Sequence, residues 1–231
     1  MTPYSFSVQS SPVALSSSSE GKVYGLLTLA MGLTALGAFL GVQFVSILLG
    51  SGIQLIFLIA ELLLIFTSRL WMERSPLNAV LFAVFPFLSG ITVTPYLLYV
   101  LVGYVNGAGI LLNALAATVF LTAASAVFAF TTKWDLSTLG RTLLFGLFGL
   151  IGLALLQVFV PSLRTGTMEI FIAGAGTVLF AFFIAFDLQR VRRLGRMGAN
   201  PFLLALSLYL DIFNLFLSIL RLMVALSGNR R

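Results

Sequence analysis

Seven long apolar runs, separated by short polar breaks, follow Lys22 and constrain the fold more than any other feature. Each run is close to the roughly 20 residues that a helix needs to cross the hydrocarbon core of a bilayer. We predict helices at 23–49, 53–71, 77–101, 108–131, 139–160, 168–190 and 201–226. The count becomes six if the last run re-enters the membrane instead of spanning it. The pattern predicts an all-α, polytopic integral membrane protein.

The composition indicates that lipid, and not water, surrounds most of the protein. Hydrophobic residues make up 60% of the chain and charged residues only 9%, whereas a soluble domain carries about 25% charged residues. The net charge of +6 comes from basic residues that lie between the apolar runs. They therefore indicate membrane topology, and no nucleic-acid partner is expected.

Cysteine and histidine are both absent from the sequence. Their absence excludes disulfides, thiolate nucleophiles, zinc sites of the usual kind and haem ligation by histidine. Histidine is also the side chain that ordinarily titrates near neutral pH. Any response to pH in that range must therefore come from carboxylates in unusual surroundings.

The two ends of the chain differ from its apolar body. Residues 1–21 are rich in serine, with neither the pattern of a signal peptide nor that of a transit peptide, and we predict a disordered tail. Residues 22–228 form the predicted transmembrane domain, and 229–231 a short C-terminal tail.

The basic residues predict the orientation. In a seven-span model one side collects Lys22, Arg69, Arg74, Lys133, Arg141, Arg190, Arg192, Arg193 and Arg196. The other side collects Arg164, Arg230 and Arg231, with Arg221 near the end of the last helix. The positive-inside rule then puts the N-terminus in the cytoplasm. A cell inner or plasma membrane is the expected location.

Two aspartates, Asp187 and Asp211, interrupt the last two apolar runs. Their midpoint is residue 199, inside the turn that joins the two helices, so antiparallel packing places both carboxyl groups at one depth. That depth is roughly 10–15 Å below the nearer interface. Two carboxylates at one level in a low-dielectric setting cannot both ionise cheaply. We expect them to share a proton and to titrate as a unit.

A polar stripe surrounds Asp211 on the last helix. Its members recur at steps of four and three, and they are Ser207, Asp211, Asn214, Ser218 and Arg221. Such a stripe faces protein or water rather than lipid. It is either a hydrogen-bonding seam between helices or, as we favour, a polar pathway. The fourth helix offers a companion stripe of Thr118, Thr122 and Ser125.

Glu61 is a third acid within the apolar runs, near the middle of the second helix. With the two aspartates it offers the hard oxygen ligands that Ca²⁺ prefers, or a proton relay. Arg69 lies two turns further on and either pairs with a deprotonated aspartate or extends to the interface.

Two segments resemble a known family. NPFLLALSLYLDIFNLFLSILRLM at 200–223 and SGITVTP at 89–95 are similar to the helix signatures of the Bax inhibitor-1 family. The resemblance implies a central last helix surrounded by six others and a pH-sensitive calcium leak. It implies that Asp187 and Asp211 form the sensor and gate, with Glu61 as a further matched position. Calcium is then the permeating ion and the proton the regulator, without a tightly bound cofactor or a catalysed reaction.

The family also implies an arginine that latches the sensor from the second helix. A gapless comparison puts Met72 at that place, so Arg69 and Arg74 are the candidates.

Other functions compete with this one. A proton-coupled transporter of a small solute is the main alternative, and a scaffold that binds partners is another. An intramembrane aspartyl protease also has two aspartates on late helices, but it has Gly-x-Gly before the second aspartate. Here Leu208, Tyr209 and Leu210 precede Asp211.

Overall fold

The structure is a computed structural model that describes residues 18–50 and 52–228. These two ranges form nine α-helices and contain no β-strand, which confirms the all-α prediction. The helices are α1 Ser18–Gln43, α2 Val45–Gly50, α3 Ile53–Phe66, α4 Ser68–Trp71, α5 Leu77–Gly103, α6 Gly107–Thr131, α7 Gly140–Phe159, α8 Gly166–Arg196 and α9 Pro201–Ser227. Short 3-10 turns at Leu136–Leu139 and Pro161–Leu163 flank α7.

Two predicted helices are each broken in two, so the single runs at 23–49 and 53–71 were wrong. The first breaks at Phe44, whose N–H donates to the Gly41 carbonyl three residues back. The second breaks at Thr67, whose hydroxyl donates to the Leu63 carbonyl at 2.6 Å. Such back-bonding by threonine competes with the helical ladder and bends helices.

The predicted disordered tail, 1–21, overlaps the described residues only at its end. Ser18–Gly21 form the first turn of α1, so the boundary lies a few residues earlier. Residues 1–17 and 229–231 lie outside the described ranges.

Within the described ranges the chain passes seven times between two ends of the helix bundle. We name these the turn end, where Met197–Asn200 join α8 to α9, and the far end opposite it. Glu20 at the start of α1 pairs with Arg196 at the turn end, at 3.6 Å. Asn200 there also donates to the carbonyl of Met72, which follows α4, at 2.7 Å. The intervening pass through α3 therefore returns the chain to the turn end.

Six of these passes have helices long and apolar enough to cross a membrane. The remaining pass contains α3, whose 14 residues span only about 21 Å at 1.5 Å per residue. The predicted re-entrant alternative concerned the last run, yet α9 is a continuous helix of 27 residues. The short pass is thus the second one.

The last helix occupies the centre of the bundle, as predicted. Half of the apolar window of α9 is buried, against a third or less in each of the other long helices. It packs against α8, α1, α6 and α5, while α3 and α7 pack chiefly on α5 and α8. The arrangement is therefore an inner group around α9 with two outer helices, instead of an even ring of six.

The outside of the bundle is strongly apolar. Phe66, Phe120 and Phe159 are each at least 70% exposed, and other exposed large apolar side chains surround them. Contiguous apolar patches of this extent are rare on water-soluble monomers. Together with the long apolar helices they make the protein an integral, multi-pass membrane protein.

The sequence at the α8–α9 turn dictates a tight reversal. Gly198 adopts φ 77°, a left-handed conformation that glycine takes without strain. The Asn200 side chain accepts from the Phe202 N–H at 2.9 Å and caps α9, and Pro201 takes the first helical position. This turn fixes the antiparallel pairing of the helices that carry the two aspartates.

Candidate functional site

Asp187 of α8 and Asp211 of α9 meet in the seam between the two helices. Their side chains belong to residues that are 3% and 8% exposed. The two carboxyl groups lie close enough to interact with each other, and the Ser207 hydroxyl lies close enough to interact with Asp187. The equal distance of both residues from the Met197–Asn200 turn produces this contact, and the sequence predicted it.

Each aspartate has one oxygen without a hydrogen-bond donor. Oδ2 of Asp187 and Oδ2 of Asp211 are buried, and no donor in the described ranges reaches either atom. A buried polar atom without a partner costs about 1–3 kcal/mol, and more if it is charged. A proton held between the two carboxyl groups would supply the missing donor. The geometry therefore suits a pair that carries at least one proton.

Arg190 extends from the turn end of the bundle toward this pair. Its Nη1 atom lies 3.4 Å from Oδ1 of Asp187, one turn away on the same helix. The Arg190 side chain is 30% exposed, while that of Asp187 is only 4% exposed. Its charge also acts on Asp211. Arg190 thus links the buried carboxyl groups to the exposed surface at the turn end of the bundle.

Sequence reasoning missed this role because it used Arg190 only as a topology residue. The i, i+3 spacing from Asp187 was the available signal. Arg69 and Arg74, the predicted latch candidates, are exposed and form no ion pair with the aspartates within the described residues. Because α3 ends at Phe66, the face that Glu61 and Arg69 would share in one continuous helix is interrupted.

The polar stripe of α9 faces α8 at three levels. Ser207 lies beside Asp187 at the first level. Further along, a Cβ on Gly176 would meet the Ser218 hydroxyl at 2.7 Å. Near the far end Arg221 donates to Glu169 at 2.7 Å. Asn214 is half-buried. The stripe therefore runs along a helix–helix seam and does not face lipid.

The companion stripe on α6 is also turned inward. Thr118 and Ser125 are buried, and the Thr118 hydroxyl donates to the Ala114 carbonyl at 2.7 Å. The Thr122 hydroxyl is buried and has no hydrogen-bond partner within the described ranges. Since α6 packs against both α8 and α9, this side of the bundle core contains hydroxyl groups at helical spacing.

Glu61 belongs to a separate polar cluster between α3 and α5. It accepts from the Thr92 hydroxyl at 2.5 Å and from the Ser89 hydroxyl at 3.0 Å. Nearby, the Tyr209 and Thr34 hydroxyls bond at 2.7 Å, and Tyr209 lies close enough to Glu61 to interact with its charge. The donors Ser89 and Thr92 belong to the SGITVTP segment, so their spacing of three was a usable signal.

The three acids do not gather into one site. No group of three or more acidic side chains that could bind a metal ion occurs in the described part of the chain. A calcium site built from Asp187, Asp211 and Glu61 together is therefore not formed in this conformation.

Asp135 is an acid that lies outside the helices, at the turn end. Asp135 accepts from the Ser137 backbone N–H at 2.9 Å and caps the 3-10 turn before α7. This bond holds the pKa of Asp135 below its usual value, with a smaller contribution from Arg193. Asp135 is an exposed carboxylate near the bundle and so provides a control for the buried pair.

The sequence is similar to those of known membrane proteins. Residues 18–229 match the family model described as "Inhibitor of apoptosis-promoting Bax1". An uncharacterized protein of Campylobacter jejuni is 32% identical over 87% of this chain and 86% of its own length. Bax inhibitor 1 of Schizosaccharomyces pombe is 34% identical over 67% of this chain and 54% of its own. An uncharacterized membrane protein of Streptococcus pyogenes is 29% identical over 87% of this chain and 90% of its own length.

Proposed function

The chain belongs to the Bax inhibitor-1 family, and from that premise we propose that it is a pH-sensitive calcium leak channel. Its gate is the Asp187–Asp211 pair. One observation carries the proposal: two buried carboxyl groups face each other across the α8–α9 seam, and each has an oxygen without a donor. Calcium is the transported ion and the proton is the regulator. The proposal includes no tightly bound cofactor and no catalysed reaction.

The shared proton holds the two helices together. While it is present, each buried oxygen has a hydrogen-bonding partner and the pair carries at most one negative charge. Loss of that proton leaves two like charges in the seam. At about 4 Å and an effective dielectric constant of about 20, such charges repel by about 4 kcal/mol. Since every 1.4 kcal/mol is tenfold in an equilibrium constant, that energy changes the equilibrium between two spacings of α8 and α9 by roughly several hundredfold.

Arg190 takes the latch role that the family assigns to an arginine of the second helix. Its guanidinium favours the ionised form of the pair, and its partial exposure lets it leave Asp187 for water. The 3.4 Å separation from Asp187 exceeds the 2.7–2.9 Å of a strong charge-assisted bond. A contact of this kind can form and break as the pair titrates.

The ion path follows the polar groups of the bundle core. Ser207, Asn214 and Ser218 along α9, with Thr122 of α6, are the candidates to line it. Glu61 provides a second candidate ion-binding position, on the other side of α9. There the ion would replace the hydroxyl groups of α5 that Glu61 now contacts. Oxygen ligands of this type suit Ca²⁺, which accepts six to eight of them, including water.

The proposed location is a cell inner or plasma membrane with the N-terminus in the cytoplasm. The support is the excess of arginine and lysine at the turn end, where α8 alone contributes Arg190, Arg192, Arg193 and Arg196. Cytoplasmic loops carry such an excess. The turn end is therefore the cytoplasmic one and the far end the external one.

Calcium influx into proteoliposomes across a range of pH tests the gate. We expect the parent protein to show a pH-dependent influx, and Asp187→Asn and Asp211→Asn each to flatten the pH profile. Asp135→Asn removes an exposed carboxylate at the turn end and should leave the profile unchanged. Absence of calcium influx at every pH, or an unchanged profile in both buried variants, would overturn the proposal.

A proton-coupled small-solute transporter is the second candidate. The observation that favours it is a cavity of about 600 Å³ at the far end of the bundle, a volume that suits a small organic molecule better than a bare ion. Proton movement driven by a solute gradient in calcium-free vesicles would support this alternative. Cleavage of a membrane-embedded peptide, lost in both aspartate variants, would instead indicate an aspartyl protease.

A further inference from the structure

The cavity at the far end lies between three elements of the bundle. Its wall includes Tyr96, Tyr99 and Tyr104 from the end of α5 and the loop after it, and Arg221 from the last turns of α9. The segment that enters α8 completes it with Arg164 and Glu169. The cavity is separate from the aspartate pair, since Arg221 is ten residues beyond Asp211 along α9, about 15 Å at helical rise.

The charges around this cavity favour an anion. Arg164 and Arg221 are positive and Glu169 is negative, so the charged groups of its described lining sum to +1. A bound cation would raise that charge to +2, whereas a bound monoanion would reduce it to zero. Electrostatics therefore favours a negatively charged ligand.

Glu169 already occupies the place that a ligand carboxylate would take. Its Oε2 atom lies 2.7 Å from Nη2 of Arg221, a short charge-assisted bond. Both side chains are 36% exposed, and partly exposed ion pairs of this kind are weak. A carboxylate from solution can therefore replace Glu169 on Arg221, while Glu169 turns toward water.

Arg164 is fixed at the rim of the same cavity. Its Nε donates to the Gln157 carbonyl at 2.6 Å and its Nη2 to the Val158 carbonyl at 3.2 Å. These bonds satisfy carbonyls at the end of α7 and hold the guanidinium in place. Arginine has five N–H donors. Arg164 can therefore donate to a ligand in the cavity while it keeps its bonds to the two carbonyls of α7.

The tyrosines supply an aromatic wall. Tyr96 and Tyr99 are stacked with ring centroids 6.3 Å apart, and Tyr104 meets Tyr99 edge-on at 6.0 Å. A cavity of about 600 Å³ with such a wall accommodates an organic molecule with a flat or apolar body. A simple inorganic anion would leave most of that volume unfilled.

From these features we infer that the far-end cavity binds a small organic carboxylate, which displaces Glu169 from Arg221 and packs against Tyr96 and Tyr99. The consequence for transport rests on the proposed calcium leak: the bound anion cancels the positive charge at the external mouth and so raises calcium entry. Binding itself does not depend on that function and is tested without it.

The test is titration calorimetry of the purified full chain in phosphatidylcholine nanodiscs, with benzoate as the probe and chloride at matched ionic strength as the blank. We expect Arg221→Gln to abolish binding. Glu169→Gln removes the tethered competitor and should strengthen binding by roughly two- to fivefold, the range in which a partly exposed ion pair competes. Arg193→Gln is the matched control, because Arg193 pairs with exposed Asp135 at the turn end, and it should not change binding.

Three results would overturn the inference. They are unchanged affinity in Arg221→Gln, no gain in Glu169→Gln, and an equal loss in Arg193→Gln, which would indicate a general effect of charge. Should Arg221→Gln fail to fold, Arg221→Lys keeps the charge but loses the planar fork, and it should weaken benzoate binding.

Nanodiscs that contain phosphatidylglycerol distinguish the source of the anion. Equal benzoate affinity in both lipids supports a soluble ligand, whereas loss of benzoate binding with phosphatidylglycerol would overturn it in favour of a lipid headgroup. If the protein binds benzoate but shows no calcium influx, the proposed function is contradicted and the carboxylate site is still supported.

Discussion

The two aspartates of the pair have different neighbours, although the sequence gives them symmetric positions about one turn. Asp187 has the Ser207 hydroxyl and the Arg190 guanidinium beside it, while Asp211 has chiefly Asp187 itself. The two positions are therefore chemically unequal. Asp187 is the one in direct contact with a cation that reaches water, and Asp211 is the one enclosed by the central helix.

Arg190→Gln tests this inequality. Removing the cation makes ionisation of the pair more costly, so the same protonation state is reached at higher pH. We expect the midpoint of the pH dependence of calcium influx to move up by roughly half a pH unit or more, as a contact of about 1 kcal/mol implies.

Arg190→Lys retains the charge, so the midpoint of its pH dependence should lie close to the parent value. Arg193→Gln removes a neighbouring arginine that pairs only with exposed Asp135 within the described residues, and its midpoint should stay at the parent value. A midpoint that moves equally in both glutamine variants would point to the surface potential instead of a contact with the pair.

The Asn200 side chain makes two hydrogen bonds, of which one caps α9 and the other connects the α8–α9 turn to the end of α4. It accepts from the Phe202 N–H and donates to the Met72 carbonyl. Asn200→Ala removes a helix cap and leaves the Met72 carbonyl with only the longer bond from the Asn78 side chain, at 3.4 Å. We expect a loss of about 1–3 kcal/mol in the free energy of unfolding, measured by denaturant titration in mixed micelles.

Asn200→Ser retains a side-chain cap and loses the donation to Met72. It should therefore recover part of the lost stability. Equal destabilisation by alanine and serine would mean that the cap contributes nothing.

At the scale of elements, α1 and α5 approach so closely that glycine is required. A Cβ on Gly90 of α5 would overlap the Thr34 carbonyl oxygen of α1, and a Cβ on Gly37 of α1 would overlap the Phe87 carbonyl oxygen of α5. Both obstacles are backbone atoms, so they cannot move aside as a flexible side chain does. Small residues that bring two backbones together are typical of helix pairs in membranes.

Gly90→Ala should therefore destabilise the protein, by about 1–3 kcal/mol as for overpacked sites. The control is Gly149→Ala on α7, where an added Cβ meets nothing within 4 Å. That change should be neutral or stabilising by up to about 1 kcal/mol, because alanine favours helix more than glycine. Thermal unfolding in one detergent compares both variants, and equal behaviour would contradict the close contact.

The outer helix α3 is attached differently. None of its residues is buried, and its polar contacts with α5 are those of Glu61 and a bond from Gln54 to the Thr92 carbonyl at 3.2 Å. An element held by so few buried contacts is expected to open at lower cost than the core. We therefore expect α3 to separate from the bundle at a lower free energy than α9 does.

For the whole molecule, the seven passes fix which loops share a side of the membrane. The absence of cysteine allows a direct test with single introduced cysteines. Lys133→Cys lies at the turn end and Ser162→Cys at the far end. With the N-terminus in the cytoplasm, a membrane-impermeant maleimide should label Ser162→Cys in intact cells and Lys133→Cys only after permeabilisation.

Labelling of both positions in intact cells would contradict the single pass, through α7, between the two labelled loops. The reversed pattern would contradict the positive-inside assignment. Either outcome would be independent of calcium transport.

The family resemblance implied the central last helix, whereas the sequence by itself determined the membrane class, the aspartate pair and the inward polar stripe. These follow from hydropathy, from helical periodicity and from the short turn at 197–200, and each of those is a local property of the chain. The family match agrees with them over 18–229.

Only the tertiary structure decided which charged groups meet. Glu61 bonds to Ser89 and Thr92 instead of joining the aspartates, Arg190 replaces Arg69 and Arg74 as the cation at the pair, and Glu169 pairs with Arg221. Contacts between helices depend on their rotation, on breaks such as the one at Thr67, and on how closely small residues let them approach. Spacing along one helix indicates the i, i+3 pair of Asp187 and Arg190, but it contains no information on contacts between helices. The partners that the buried charges find on other helices could therefore not be derived from the chain alone.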